Sequence, residues 1–120
     1  EAAPVPAERV YFAAPTAESA STSQVIIVRD VGFTGSAIFL HVSINGVRAV
    51  SFDPGERWET RLAPGTYLFG VIPTDAFGAA TEHVIDQTLI AGQTYQYRLG
   101  GSVQTGPRIQ RTMVEAARAP

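Results

Sequence analysis

The sequence has no cysteine and no lysine, only one tryptophan and one methionine, and two histidines in 120 residues. Without cysteine, neither a disulfide framework nor a thiolate zinc site is available, although that absence does not identify a compartment, since many exported proteins also lack disulfides. Nine arginines against eleven acidic residues leave a net charge of −2, so there is no basic field to attract nucleic acid. No run approaches the roughly 20 apolar residues that span a bilayer as a helix. No charged stretch followed by an apolar one opens the chain as a signal peptide would. No segment sustains a helical period. At this length one domain can bury a core without staples.

What the sequence does contain is a succession of short alternating runs broken by Pro and Gly. The clearest is Ile38 to Phe52, IFLHVSINGVRAVSF, in which two apolar runs meet at Asn45-Gly46. Both residues tolerate the positive φ of a type I′ turn, whose twist matches that of paired strands. A β-hairpin follows, with Ile44 opposite Val47. Ile38, Leu40, Val42 and Ile44 share the core face, while Phe39, His41 and Ser43 share the other. In the return arm Val50 and Phe52 point inward and Arg48 reaches solvent.

Around this hairpin the chain reads in order. Residues 1–8 form a Pro/Ala-rich tether, and Arg9 to Phe12 is a first strand candidate. Ala13 to Ser23 is a long connection. Gln24 to Asp30, with four consecutive β-branched residues, is a central strand covered on both faces. After the Asp53-Pro54-Gly55-Glu56 turn, Arg57 to Leu62 turns Trp58 and Leu62 inward and Arg57, Glu59 and Arg61 outward. Thr66 to Ile72 is a second central strand, with Gly70 marking a bulge or a close backbone approach. Pro73 to Glu82 is a loop carrying Phe77. The parity of Val84 and Ile90 conflicts with that of Ile85 and Leu89, which calls for a bulge near Asp86 or Gln87. Tyr95, Tyr97 and Leu99 alternate inward. Arg108 to Met113 is a last strand with Ile109 inside, and Val114 to Arg118 leaves room for a short helical turn. The fold class is all-β: an antiparallel sandwich of about seven or eight short strands, immunoglobulin-like or transthyretin-like. Its domain spans residues 9–114, followed by a tail at 115–120.

Catalytic chemistry is hard to place on this frame. His41, on the outer face of a strand, reads as a packed or solvated strand residue, and His83 beside Glu82 reads as a surface ion pair. There is no Gly-x-Ser-x-Gly elbow, no Gly-rich loop leading into a helix and no carboxylate-rich calcium loop. The expectation is therefore no enzyme, no catalytic residues, no cofactor and no metal. Phe39, His41, Trp58, Tyr67 and Phe77 are the candidate partner or ligand surface, because aromatic side chains beyond the needs of one core suit a glycan or a protein partner.

As a string of landmarks, residues 9 to 112 resemble a family of small bacterial β-sandwich lipoproteins of unknown function. The matching stretches are Arg9-Val10-Tyr11, Val25 to Arg29, Gly35-Ser36-Ala37, Val42 to Gly46, Leu62 to Tyr67 and Ile90 to Arg98. The resemblance implies a non-enzymatic binding or scaffold domain that is exported and periplasmic or anchored at the outer membrane. The family's lipid-bearing cysteine is missing, so any anchor would lie upstream of Glu1, with residues 1–8 as the tether. A chain starting at Glu1 without Met fits a removed leader and an arbitrary boundary equally. The expected partner is another envelope protein or a glycan. A carbohydrate-binding module with an aromatic platform and a docking lipoprotein of a secretion system are the alternative functions.

Overall fold

A computed structural model describes residues 3–12, 22–30, 40–73, 82–102 and 106–116. Among them are nine strands in two sheets that pack face to face. The first sheet contains β1 (Ala3–Pro4), β5 (Glu56–Leu62), β2 (Ser23–Arg29), β8 (Gln93–Ser102) and β9 (Gly106–Ala116), in that order. The second runs β4 (Val47–Phe52), β3 (Leu40–Ile44), β6 (Gly65–Pro73) and β7 (His83–Leu89). The all-β sandwich expected from the alternation is the fold observed. Not every pairing is antiparallel, because β2 runs parallel to β8 and β1 parallel to β5.

The hairpin forms as its turn chemistry dictates. Asn45 and Gly46 sit at φ 53° and 82°, and Ile44 pairs with Val47. A register shift between Val42 and Ser43 then leaves Ala49 as an extra residue. Consecutive residues Ala49 to Phe52 are consequently all buried. Leu40, Val42 and Ile44 face the core. From the opposite sheet come Val25, Ile27, Trp58, Leu62, Tyr95, Tyr97 and Leu99, completing one hydrophobic cluster. The rings interlock edge to face: Phe69 meets Tyr97 at 5.1 Å, and Phe12 meets Trp58 at 6.1 Å, geometries favoured by the ring quadrupoles.

Three expectations need correction. No bulge interrupts β7, whose register with β6 is continuous from Leu89 to His83. Its inward set is the odd one, and Val84 and Ile90 stay 46% and 55% exposed. Arg9 to Phe12 is not a strand of the sheets. Ala7–Arg9 is a 3-10 turn, and Val10 makes one isolated bridge to Val50. The C-terminal helical turn is absent as far as residue 116, because β9 continues as a strand to Ala116; residues 117–120 lie outside the described set.

The N-terminal stretch is where the sequence shows least and the structure most. The Ala3 amide donates to Gly55 O at 3.0 Å and the Val5 amide to Arg57 O at 2.9 Å, on the edge of β5. The chain then crosses to the other sheet, where the Tyr11 amide donates to Ala49 O at 2.8 Å. Residues 3–12 are thus a strap spanning one side of the sandwich. Its clasp is Arg9, whose two terminal nitrogens donate to the two carboxylate oxygens of Glu56 at 2.7 Å each, with a further bond to Ser51 O at 3.2 Å. Glu56 Oε1 also accepts from the Asp53 amide at 2.7 Å. Arg29, 1% exposed, reaches across the core to donate to Phe52 O at 2.8 Å.

Burial alone would raise the Glu56 pKa, but hydrogen bonds from Arg9 and the Asp53 amide, with the pull of Arg9 and Arg29, outweigh it and hold the carboxyl below its usual value of 4.5. A depressed folded-state pKa stabilises above the unfolded value, and that contribution disappears as the pH falls through the folded one. Urea unfolding should therefore show wild-type stability declining below about pH 4.5 more steeply than that of Glu56→Gln. At neutral pH Arg9→Ala should cost about 2 kcal/mol, with Arg9→Lys close behind because an ammonium cannot reproduce the fork.

Candidate functional site

The residues nominated from sequence do not converge. Trp58 is 8% exposed and faces the core from β5, so it offers no outer platform. Tyr67 is half-buried between the sheets, stacked on Phe69 with centroids 6.2 Å apart and planes 9° from parallel, and its hydroxyl donates to Ala63 O at 2.6 Å. Both rings serve packing because their strand parity points inward. Phe39 and Phe77 lie outside the described residues. His41 alone of the five sits on an outer sheet face among described residues, on β3.

Around His41 the structure assembles groups that the sequence does not link. Strand pairing sets His41 opposite Ser51, and the Ser51 hydroxyl lies 2.5 Å from Nδ1 of the imidazole. The Tyr11 hydroxyl, from the strap, is 3.3 Å from the same oxygen. One residue pair further along, Ser43 on β3 donates to Oε2 of Glu82 at 2.5 Å. That bond crosses directly over Gly70 on β6. A Cβ at position 70 would stand 2.8 Å from the Ser43 hydroxyl and collide with the Glu82 carboxylate, so the missing side chain makes the room. The close approach at Gly70 is made by the side chains of Ser43 and Glu82, not by a backbone. Val42, Gly46, Arg48 and Ile72 complete a shallow concavity of about 160 Å³ with His41, Ser43 and Glu82.

This geometry does not assemble a serine-hydrolase triad at His41. A hydrolase serine needs exposure and a hydrogen bond to a base held by a carboxylate. Ser51 is 2% exposed beneath the strap, and Glu82 bonds Ser43 instead. Burial, and then the charge of Arg48, lower the His41 pKa from its ordinary 6.5, which keeps the ring neutral at pH 7. Among the described residues no group of three or more His, Asp or Glu could hold a metal.

His83 departs from its expected surface ion pair. Its Nδ1 accepts the Ile109 amide at 3.1 Å, while the neighbouring Glu82 turns to Ser43 on the other face. Nothing in the local sequence signals a backbone partner 26 positions away. Gly70 within an apolar strand and His41 on its outer face were the readable pointers to the concavity.

Both outer sheet faces combine polar groups with exposed apolar side chains, Met113 on β9 being 48% exposed. On the β1–β9 sheet, Arg57 pairs with Glu59, Gln24 donates to Glu59 at 3.1 Å, and Arg98 pairs with Asp30 at 3.0 Å. On the other sheet, Leu68 and Val84 stand 49% and 46% exposed beside Gly70. Ser51→Ala should cost about 1 kcal/mol, because it strips Nδ1 of His41 and the Tyr11 hydroxyl of a shared partner. Urea denaturation reads that loss, and a fluorophosphonate probe should leave Ser51 unlabelled.

No protein-family model matches the chain, and no curated protein matches it. The landmark resemblance to small lipoproteins therefore bears on the architecture and assigns no family. Among solved structures, the chain is similar to a putative cell adhesion protein from Bacteroides uniformis, at 14% identity and a TM-score of 0.54 over 82% of this chain. A second such protein, from Bacteroides ovatus, has 13% identity and a TM-score of 0.41 over 83% of this chain. The chain spans about half of each, 51% and 46%. What the B. uniformis likeness establishes is a shared β-sandwich architecture.

Proposed function

We propose that this chain is a non-enzymatic binding or scaffold domain of the bacterial cell envelope, which engages a protein partner through the outer face of β3, β6 and β7. The observation that carries the reading is the grouping of exposed apolar side chains with a polar concavity on one outer face. The other sheet carries paired charges, which are costly to desolvate, and exposes Met113 on β9 without such a concavity among the described residues. The face of β3, β6 and β7 exposes Leu68 and Val84 beside Gly70, next to the concavity lined by His41, Ser43, Glu82 and Arg48. An apolar centre with a polar rim is the usual anatomy of a protein interface.

Export is part of the proposal, to the periplasm or the outer membrane. It is supported by the adhesion assignment of a protein with the same architecture. Among the described residues no helix is long and apolar enough to cross a membrane. An aromatic glycan platform draws no support from Trp58 or Tyr67, whose rings are committed to packing.

Retention of the purified domain on envelope fractions of the source bacterium tests the reading. Leu68→Arg with Val84→Arg should reduce retention at least about tenfold, the loss of one or two interface anchors. Arg61→Glu, on the opposite face, should leave it unchanged. Equal loss from both variants, or from neither, would remove β3, β6 and β7 as the binding face.

A further inference from the structure

Opposite the strap, the free edges of the two sheets come together. β7 ends one sheet and β9 the other, and side chains of β7 bridge them. Gln87 Oε1 accepts from the Tyr97 hydroxyl at 3.0 Å and from Arg111 at 3.4 Å. At the other end of β7, Nδ1 of His83 accepts the Ile109 amide at 3.1 Å. We propose that this seam is an acid-sensitive closure, in which a proton on Nδ1 of His83 removes the acceptor of the Ile109 amide and lets the edges of β7 and β9 part at that end.

The argument is geometric. An imidazole nitrogen that turns its lone pair to an N–H cannot also carry a proton, so the closed seam requires His83 neutral with its hydrogen on Nε2. The surroundings favour that state. β9 brings Arg108 and Arg111 to this side. β6 carries no charged residue, and Val71 is the β6 residue opposite His83. The adjacent Glu82 is turned away to Ser43. Burial first, then Arg108, lower the His83 pKa from 6.5. Closure therefore releases a proton, is complete above about pH 6.5 and weakens as the pH falls below it. Gln87 does not titrate, so its end of the seam stays bonded. Parting frees the Ile109 amide on the outer edge of β9, a donor of the kind that recruits a further strand.

Amide exchange of the full chain, read residue by residue by NMR and corrected for the intrinsic pH dependence of exchange, tests the proposal. Protection of Ile109 should fall about fivefold or more from pH 8 to pH 5, the loss of one hydrogen bond, while Tyr97 holds its protection. His83→Asn places a non-titrating oxygen where Nδ1 was and should abolish the pH response. An unchanged Ile109 in wild type, or the same fall in His83→Asn, overturns the proposal. Should that variant fail to fold, the nitrogen shifts of wild-type His83 at pH 8 decide, because a proton on Nδ1 there is incompatible with the closure.

Discussion

The fold turns on the passage from one sheet to the other at Phe52 to Glu56. There the chain must bend through Pro54-Gly55 and leave the core without stranding polar groups, and a knot of four charges meets that need. Glu56 accepts from Arg9 and from the Asp53 amide. Arg29, buried at the end of β2, ties the last carbonyl of β4 and feels the attraction of Asp53 and Glu56. Two cations against two anions make the knot neutral, which is what allows it to be buried. The strap, the covering of Ser51 and the orientation of His41 are all built outward from it.

The hairpin, the two interior strands and the inward set Tyr95, Tyr97 and Leu99 were legible because each depends on local periodicity or turn chemistry. The turn at Asn45-Gly46 is written in the residues that adopt it, and β2 in its consecutive Val and Ile, although it is covered on one face and not on both as expected, since Ile26 and Val28 stay partly exposed. The strap was illegible for the opposite reason. A two-residue strand containing Pro4 has no period, and its partners lie some fifty positions downstream. The parallel pairing of β2 with β8 is likewise invisible locally, because residues 24–29 meet 94–99 only after the chain has built most of both sheets.

The candidate site was legible at His41 and Gly70 and hidden in the rest. His41 lay on the outer face as alternation required. Ser51 joined it through a register that the bulge at Ala49 set, and no pattern in the sequence announces a bulge at that point. Glu82 arrived through a tertiary contact over Gly70. Trp58 and Tyr67 misled because composition counts aromatics without saying which way they face. Strand parity had already turned Trp58 inward, and Tyr67 shares the inward parity of Phe69 and Val71.

The strap also imposes an order of events on synthesis. Its residues are made before the rest of the sandwich, yet their seats at Ala49, Gly55, Glu56 and Arg57 come some forty to fifty residues later. Until those seats arrive, an early segment with no structure of its own must wait unpaired, and only after the charge knot forms can it close over β4 and β5. This is a fold that finishes at its beginning, so a chain stalled midway keeps its strap loose.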